Sequence, residues 1–203
     1  IKEGQTEVDL RQQYLKAPDA VLLSFDLEFN RALTSLDLSL NKIGVGGAKA
    51  IAGSLLQSAL TKLVINVELD VKQLKTHTSI DLKHKGLKAE EAIIVAKCME
   101  FNRSLNSLDL CKNNLGEASE TIAQAVLQHP TMEIFCKIPM KKMREDSLTE
   151  LDLSNKGIGA HGAMVIAPLL EFSRSLNSVD LRENSIPDEG KQQLRAAAAG
   201  KSI

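Results

Sequence analysis

Leu33 to Gly44 reads LTSLDLSLNKIG, Leu105 to Gly116 reads LNSLDLCKNNLG, and Leu148 to Gly159 reads LTELDLSNKGIG. A fourth copy, LNSVDLRENSIP, runs from Leu176 to Pro187. Self-similarity of this kind marks a stack of like supersecondary units, each too small to bury its own apolar face. The phrase therefore decides the fold before any single motif is weighed.

Working outward, each unit is marked by the first apolar residue of its strand core: Val8, Leu36, Leu63, Ile80, Leu108, Ile134, Leu151 and Val179. Successive spacings are 28, 27, 17, 28, 26, 17 and 28 residues, so two long units and one short unit alternate as a compound block. The linkers follow the same period: Phe29-Asn30-Arg31, Phe101-Asn102-Arg103 and Phe172-Ser173-Arg174. Within a unit, Leu36 and Leu38 alternate with Ser35, Asp37 and Ser39, the period of two of a half-buried strand. Ala48, Ile51, Ala52, Leu55 and Leu56 then fall at helical spacing, as do Ile122, Ala123, Val126 and Leu127. The short units have no room for such a helix. Their segments 66–76 and 137–147 are expected to be extended or a single turn, with Val71 and Leu74, and Met140 and Met143, plugging the core.

The pattern L-x-x-L-x-L-x-x-N-x-L resembles that of leucine-rich repeat proteins, and the 28-residue units resemble the ribonuclease-inhibitor class. The 17-residue units depart from that class. The resemblance implies an α/β fold: a right-handed solenoid arc of about eight units, with a mostly parallel sheet on the concave face and helices on the convex face. It implies one domain over residues 1–203, closed by a C-terminal helix and tail over 187–203, and a non-catalytic, cytoplasmic scaffold that binds a protein. The alternatives are a regulator of a small GTPase, of the leucine-rich repeat activator type, and a structural subunit of a larger assembly.

Composition narrows the partners. The 203 residues carry a net charge of −1 and a pI near 6.5, which gives no general attraction to nucleic acid or anionic membrane. The apolar stretches are interrupted by Lys or Glu, so no membrane span is read, and the start does not read as a signal peptide. Three cysteines, Cys98, Cys111 and Cys136, show neither paired nor metal-ligand spacing and suit a reducing compartment. No cofactor, metal, small-molecule ligand or nucleic acid is expected. No polar cap precedes the strand at Val8, so its edge is expected to lie open or under a partner, whereas Pro187 to Gly200 reads as a natural last helix.

Several motifs imitate chemistry. Gly157-Ile158-Gly159-Ala160-His161-Gly162 matches a dinucleotide fingerprint, but the same slots in other units hold small residues because the chain turns there from strand to helix. Pro168, in mid-helix, should kink or shorten that helix. Asp81 beside Asp109, and Asp152 beside Asp180, could raise a pKa, yet a repeated column of carboxylates converges on no single spot. His84 and Cys111 could be neighbours across strands, with nothing to orient them as a catalytic pair. The basic cluster Lys137, Lys141, Lys142 and Arg144 could hold phosphate, or lie at a solvated rim.

What remains is a surface. Asp37, Asp81, Asp109, Asp152 and Asp180 form an acidic strip, which Val64 and Phe135 interrupt with apolar spots, and Leu40 adds a third. Lys83, Lys137 and Arg182 stand beside the strip. Apolar anchors within alternating charge suit a protein partner, so these eleven residues are the candidate contact surface.

Overall fold

The computed structural model describes residues 1–2, 4–198 and 201. Strands of two or three residues alternate with helices along the chain. The strands are β1 (Glu7–Asp9), β2 (Ser35–Asp37), β3 (Lys62–Val64), β4 (Glu68–Asp70), β5 (Ser79–Asp81), β6 (Ser107–Asp109), β7 (Ile134–Phe135), β8 (Glu150–Asp152) and β9 (Ser178–Asp180). The long units carry α1 (Ala17–Phe29), α2 (Gly44–Ser54), α4 (Ala89–Phe101), α5 (Ser119–Gln128), α7 (Gly159–Phe172) and α8 (Asp188–Ala197). The short units carry only α3 (Val71–Thr76) and α6 (Met140–Arg144), and Val71, Leu74, Met140 and Met143 are buried there, as their spacing predicts.

The long helices pack in chain order: α1 on α2, α2 on α4, α4 on α5, α5 on α7 and α7 on α8. Between helices and strands lies one apolar cluster built from the repeat positions Leu36, Leu63, Ile80, Leu108, Leu151 and Val179. Pro168 does not shorten α7, which runs through it to Phe172. The stop expected at Gly200 lies outside the described residues; α8 ends at Ala197.

Two departures from expectation come from the short units. Instead of one run of parallel strands there are, among the described residues, three sheets, β1-β2-β3-β4, β5-β6-β7 and β8-β9, parallel except for the β3–β4 pair. After β3 the chain doubles back through Ile65–Val67 and β4 lies antiparallel on the free edge of β3, so β5 cannot pair there. After β7 the edge is closed by Ile138, which exchanges backbone hydrogen bonds with Phe135 at 2.7 and 3.0 Å.

The second departure is a register correction. Sequence alternation puts Ile134 in the core and Phe135 on the solvent side, but Phe135 pairs with Leu108 and Ile134 with Ser107. A one-residue slip exchanges the two faces of a strand. Phe135 is accordingly 0% exposed and Ile134 44%. The reason is volume: a short unit has no full helix to fill its layer, and the larger ring fills more of it than Ile134 would.

Polar ties hold the turns. Asn41, Asn113 and Asn184 each donate through Nδ2 to a carbonyl of the preceding unit, Leu10, Leu82 and Leu153, at 2.8 Å. Their Oδ1 atoms accept backbone N–H groups from the same preceding turns, as from Lys156, Gly157 and Ile158 at 2.8–3.2 Å. The turn at Asn66–Val67 has no such asparagine. Its N–H groups point to Glu91 of α4, which is 0% exposed. Glu91 accepts from Asn66 N at 2.7 Å, from Asn66 Nδ2 at 3.1 Å and from Lys88 N at 3.0 Å. In the next block Gly162 occupies the slot of Glu91, and a Cβ there would lie 1.9 Å from Ile158 Cγ2 and 3.8 Å from Ile138 Cδ1. The turn at Phe135–Ile138 closes on itself through Phe135 and Ile138, and an apolar contact stands where Glu91 stands in the other block.

Candidate functional site

The strand residues that alternate with the buried leucines face away from the helices. On this side Asp81 and Asp152 are exposed, Asp37, Val64 and Asp180 half-buried, and Asp109 is buried. Part of the charge here is paired. Arg182 grips Asp180 through two guanidinium nitrogens, at 3.0 and 2.6 Å, and Arg11 grips Asp9 likewise, at 3.0 and 2.7 Å. Hydrogen bonds from Arg182 hold the Asp180 carboxyl down to about 2. Asp152 is lowered by the Ser154 hydroxyl and N–H. The neighbouring Asp180 pushes Asp152 up, but the Ser154 donors outweigh it, so the pair does not end raised. Lys137, itself exposed, reaches Asp109 at 2.9 Å. Burial would raise Asp109, but Lys137 and the Cys111 N–H outweigh it and hold it low. Lys83, half-buried, sits two residues beyond Asp81, whose carboxylate accepts its N–H at 2.9 Å.

Of the three apolar spots, only Leu40 is fully presented, at 75% exposure. It holds a left-handed backbone (φ 60°), as do the matching residues His84, Lys112, Asn155 and Glu183. That conformation disfavours Leu and suits Asn. Leu40→Asn should therefore raise unfolding free energy by about 0.5–1 kcal/mol in a urea titration, having little packing to lose. A destabilised variant would show that the leucine packs in solution. Phe135 is withdrawn from the surface by its register: its ring is buried and meets the His161 ring edge-on at 5.9 Å.

The remaining chemical candidates separate. His84 is exposed while Cys111 is buried, and they share only a backbone bond, His84 N to Cys111 O at 3.0 Å. In the basic cluster, Arg144 donates to the carbonyls of Met132 and Leu127 near the end of α5, and Lys141 pairs with Glu133 at 3.2 Å. Asn102 is buried, with its side-chain nitrogen donating to the carbonyls of Leu74 and His77. The glycine-rich turn at 157–162 borders a groove of about 710 Å³ that is also lined by Lys112, Asn113 and Ser185.

The structure assembles one group that spacing does not announce. Asp109, Cys111 and Cys136, all buried, bring a carboxylate oxygen and two Sγ atoms within 4.8 Å of one another. Cys136 reaches this group because the corrected register sets it opposite Asp109. Burial, with Cys111 beside it, pushes the Cys136 thiol up. Nearby, burial lowers the His161 imidazole to about 4.

Comparison with known proteins fits the repeat reading. A leucine-rich repeat family profile matches residues 29–52. Ribonuclease inhibitor of Sus scrofa is 28% identical over 170 residues, covering 83% of this chain and 30% of that protein. Tonsoku-like protein of Danio rerio is 26% identical over 176 residues, covering 76% of this chain and 11% of that one. The chain thus spans less than a third of either relative. Among solved structures, leiomodin-1 actin-binding site 2 superposes with a TM-score of 0.37 at 19% identity, over 64% of this chain and 68% of that one.

Proposed function

We propose that this leucine-rich repeat protein, of the ribonuclease-inhibitor-like kind, is a non-catalytic module that binds a protein partner through the solvent face of its strands. Its units stack as one right-handed arc over residues 1–203, sheet concave and helices convex. The observation that carries the reading is the strip of charged side chains at the same place on strands β2, β5, β8 and β9, Asp37, Asp81, Asp152 and Asp180, flanked by Lys83, Lys137 and Arg182. Arginines already engaged with aspartates keep fixed geometry, so a partner with complementary charge meets an ordered surface and loses little side-chain entropy on binding. Leu40 and Val64 supply the apolar contact, Asp109 enters through its ion pair with Lys137, and catalysis and cofactors have no part.

One feature favours a second reading, a subunit of a larger assembly. Leu22, Phe25 and Phe29 of α1 are 57–77% exposed and follow a helical spacing, an apolar stripe without cover among the described residues. The small-GTPase reading asks for an unpaired arginine or asparagine at the rim, and of the arginines beside the strand carboxylates Arg11 and Arg182 are both engaged.

The two readings part in one experiment. Binding of the partner captured by the wild-type chain is compared for an Asp81→Lys/Asp152→Lys variant and a Leu22→Asp/Phe25→Asp variant. All four positions are exposed, so both variants should keep the wild-type circular dichroism. Loss of the partner in the first alone supports the strand face. Loss in the second alone overturns it in favour of the assembly reading.

A further inference from the structure

We infer that Asp109, Cys111 and Cys136 form a binding site for a thiophilic divalent cation, zinc being the ion whose chemistry fits best. The donor set is two soft thiols and one hard carboxylate, a mixture that the borderline zinc ion accepts and that the thiols make unsuitable for magnesium or calcium. Their ligand atoms lie within 4.8 Å of one another. Donors around a tetrahedral zinc stand about 3.8 Å apart for a Zn–S bond near 2.3 Å, so side-chain rotation of an ångström or less closes the site.

Two further observations describe the surroundings of the three ligand atoms. Among the described residues, the buried side-chain atoms that lack a hydrogen-bond partner are Asp109 Oδ2 and His161 Nε2. Both border this place, since His161 packs on Phe135, the chain neighbour of Cys136. Lys137 comes within 2.9 Å of Asp109 Oδ2 as an ion pair, so this oxygen would be shared between the ammonium and the ion. In addition, the Leu110 N–H donates to Cys136 Sγ at 3.3 Å, the kind of outer-shell bond that orients and stabilises a ligating thiolate.

Charge closes as well. On coordination both thiols give their protons to solvent, and two thiolates with one carboxylate carry three negative charges. A divalent ion and the Lys137 ammonium neutralise them, so a buried net charge is avoided. The carboxylate needs no rebuilding, as Oδ1 keeps the Cys111 N–H at 3.0 Å. His161 is not within ligand distance of all three atoms, so the fourth position falls to a water, and access runs past the exposed Lys137.

The test is a zinc titration of the reduced, intact chain against a chromophoric chelator, with cobalt(II) as spectroscopic stand-in. Wild type and Cys98→Ser, whose thiol is buried outside the cluster, should bind one ion per chain and show the thiolate-to-cobalt charge-transfer band. Cys111→Ser and Cys136→Ser should bind more weakly by over the roughly 10–100-fold that outer-shell changes cost, and His161→Ala should bind as wild type does. Absence of the band in the wild type overturns the site, as does unchanged affinity in both cysteine variants. Should those variants fail to fold, peptide mapping of alkylated wild type decides: zinc should protect Cys111 and Cys136 and leave Cys98 labelling unchanged, and equal labelling with and without zinc refutes the site.

Discussion

Phe135→Ala should lower the unfolding free energy by about 3–5 kcal/mol, while Ile134→Asp, one residue away, should cost under about 1 kcal/mol. The contrast follows from register. The ring of Phe135 is fully buried in the layer that α6 alone cannot fill, whereas Ile134 is 44% exposed at the position of Ser107. Removing the ring leaves a cavity between β6 and the start of α7, where His161 loses its edge-on partner. Urea denaturation followed by circular dichroism measures both, and Phe135→Leu, which keeps most of the volume, should fall between them. The opposite order, a costly Ile134→Asp and a mild Phe135→Ala, would restore the register read from alternation alone. A partner lost with Phe135→Asp would report unfolding and not recognition, so that substitution has no place in mapping the binding face.

Glu91→Ala should cost roughly 3 kcal/mol, more than most buried carboxylates that lack a partner role. Its carboxylate satisfies the N–H of Asn66, the Asn66 side-chain amide and the N–H at the start of α4, within a site closed to water. Alanine would leave these donors unpaired while also opening a cavity. Glu91→Gln, which retains one acceptor oxygen, should lose about half as much. Hydrogen exchange supplies the local readout: the amides of Asn66 and Lys88 should exchange faster in Glu91→Ala while those of β8 and β9 stay protected. A loss below about 1 kcal/mol with unchanged exchange would show that the turn finds water instead.

The sequence makes the order of elements legible because the same apolar phrase recurs with little variation. Leu36, Leu63, Ile80, Leu108, Leu151 and Val179 are read correctly as core, and segments 66–76 and 137–147, read as extended or a single turn, hold the strand β4 and only the short helices α3 and α6. The slip at Ile134–Phe135 is not legible, since two adjacent apolar residues satisfy alternation in either phase and only the available volume chooses. The Asn66–Glu91 tie is equally hidden: the partners are 25 residues apart and neither belongs to the repeat phrase. The cluster at Asp109, Cys111 and Cys136 lies beyond spacing rules because strand pairing, not sequence proximity, brings Cys136 to Asp109.

The two solutions at the helix start, Glu91 behind the Asn66 turn and Gly162 behind the Phe135 turn, limit how such a chain can be recombined. A short unit and the first turn of the following long helix are an inseparable cassette. A chimera that joins residues 62–88 to the Gly162-bearing start of α7 strands the donors that Glu91 satisfies. The reverse graft presses a carboxylate against Ile138. Duplication or shuffling of these units is tolerated only where the crossover falls inside a long helix, downstream of that contact.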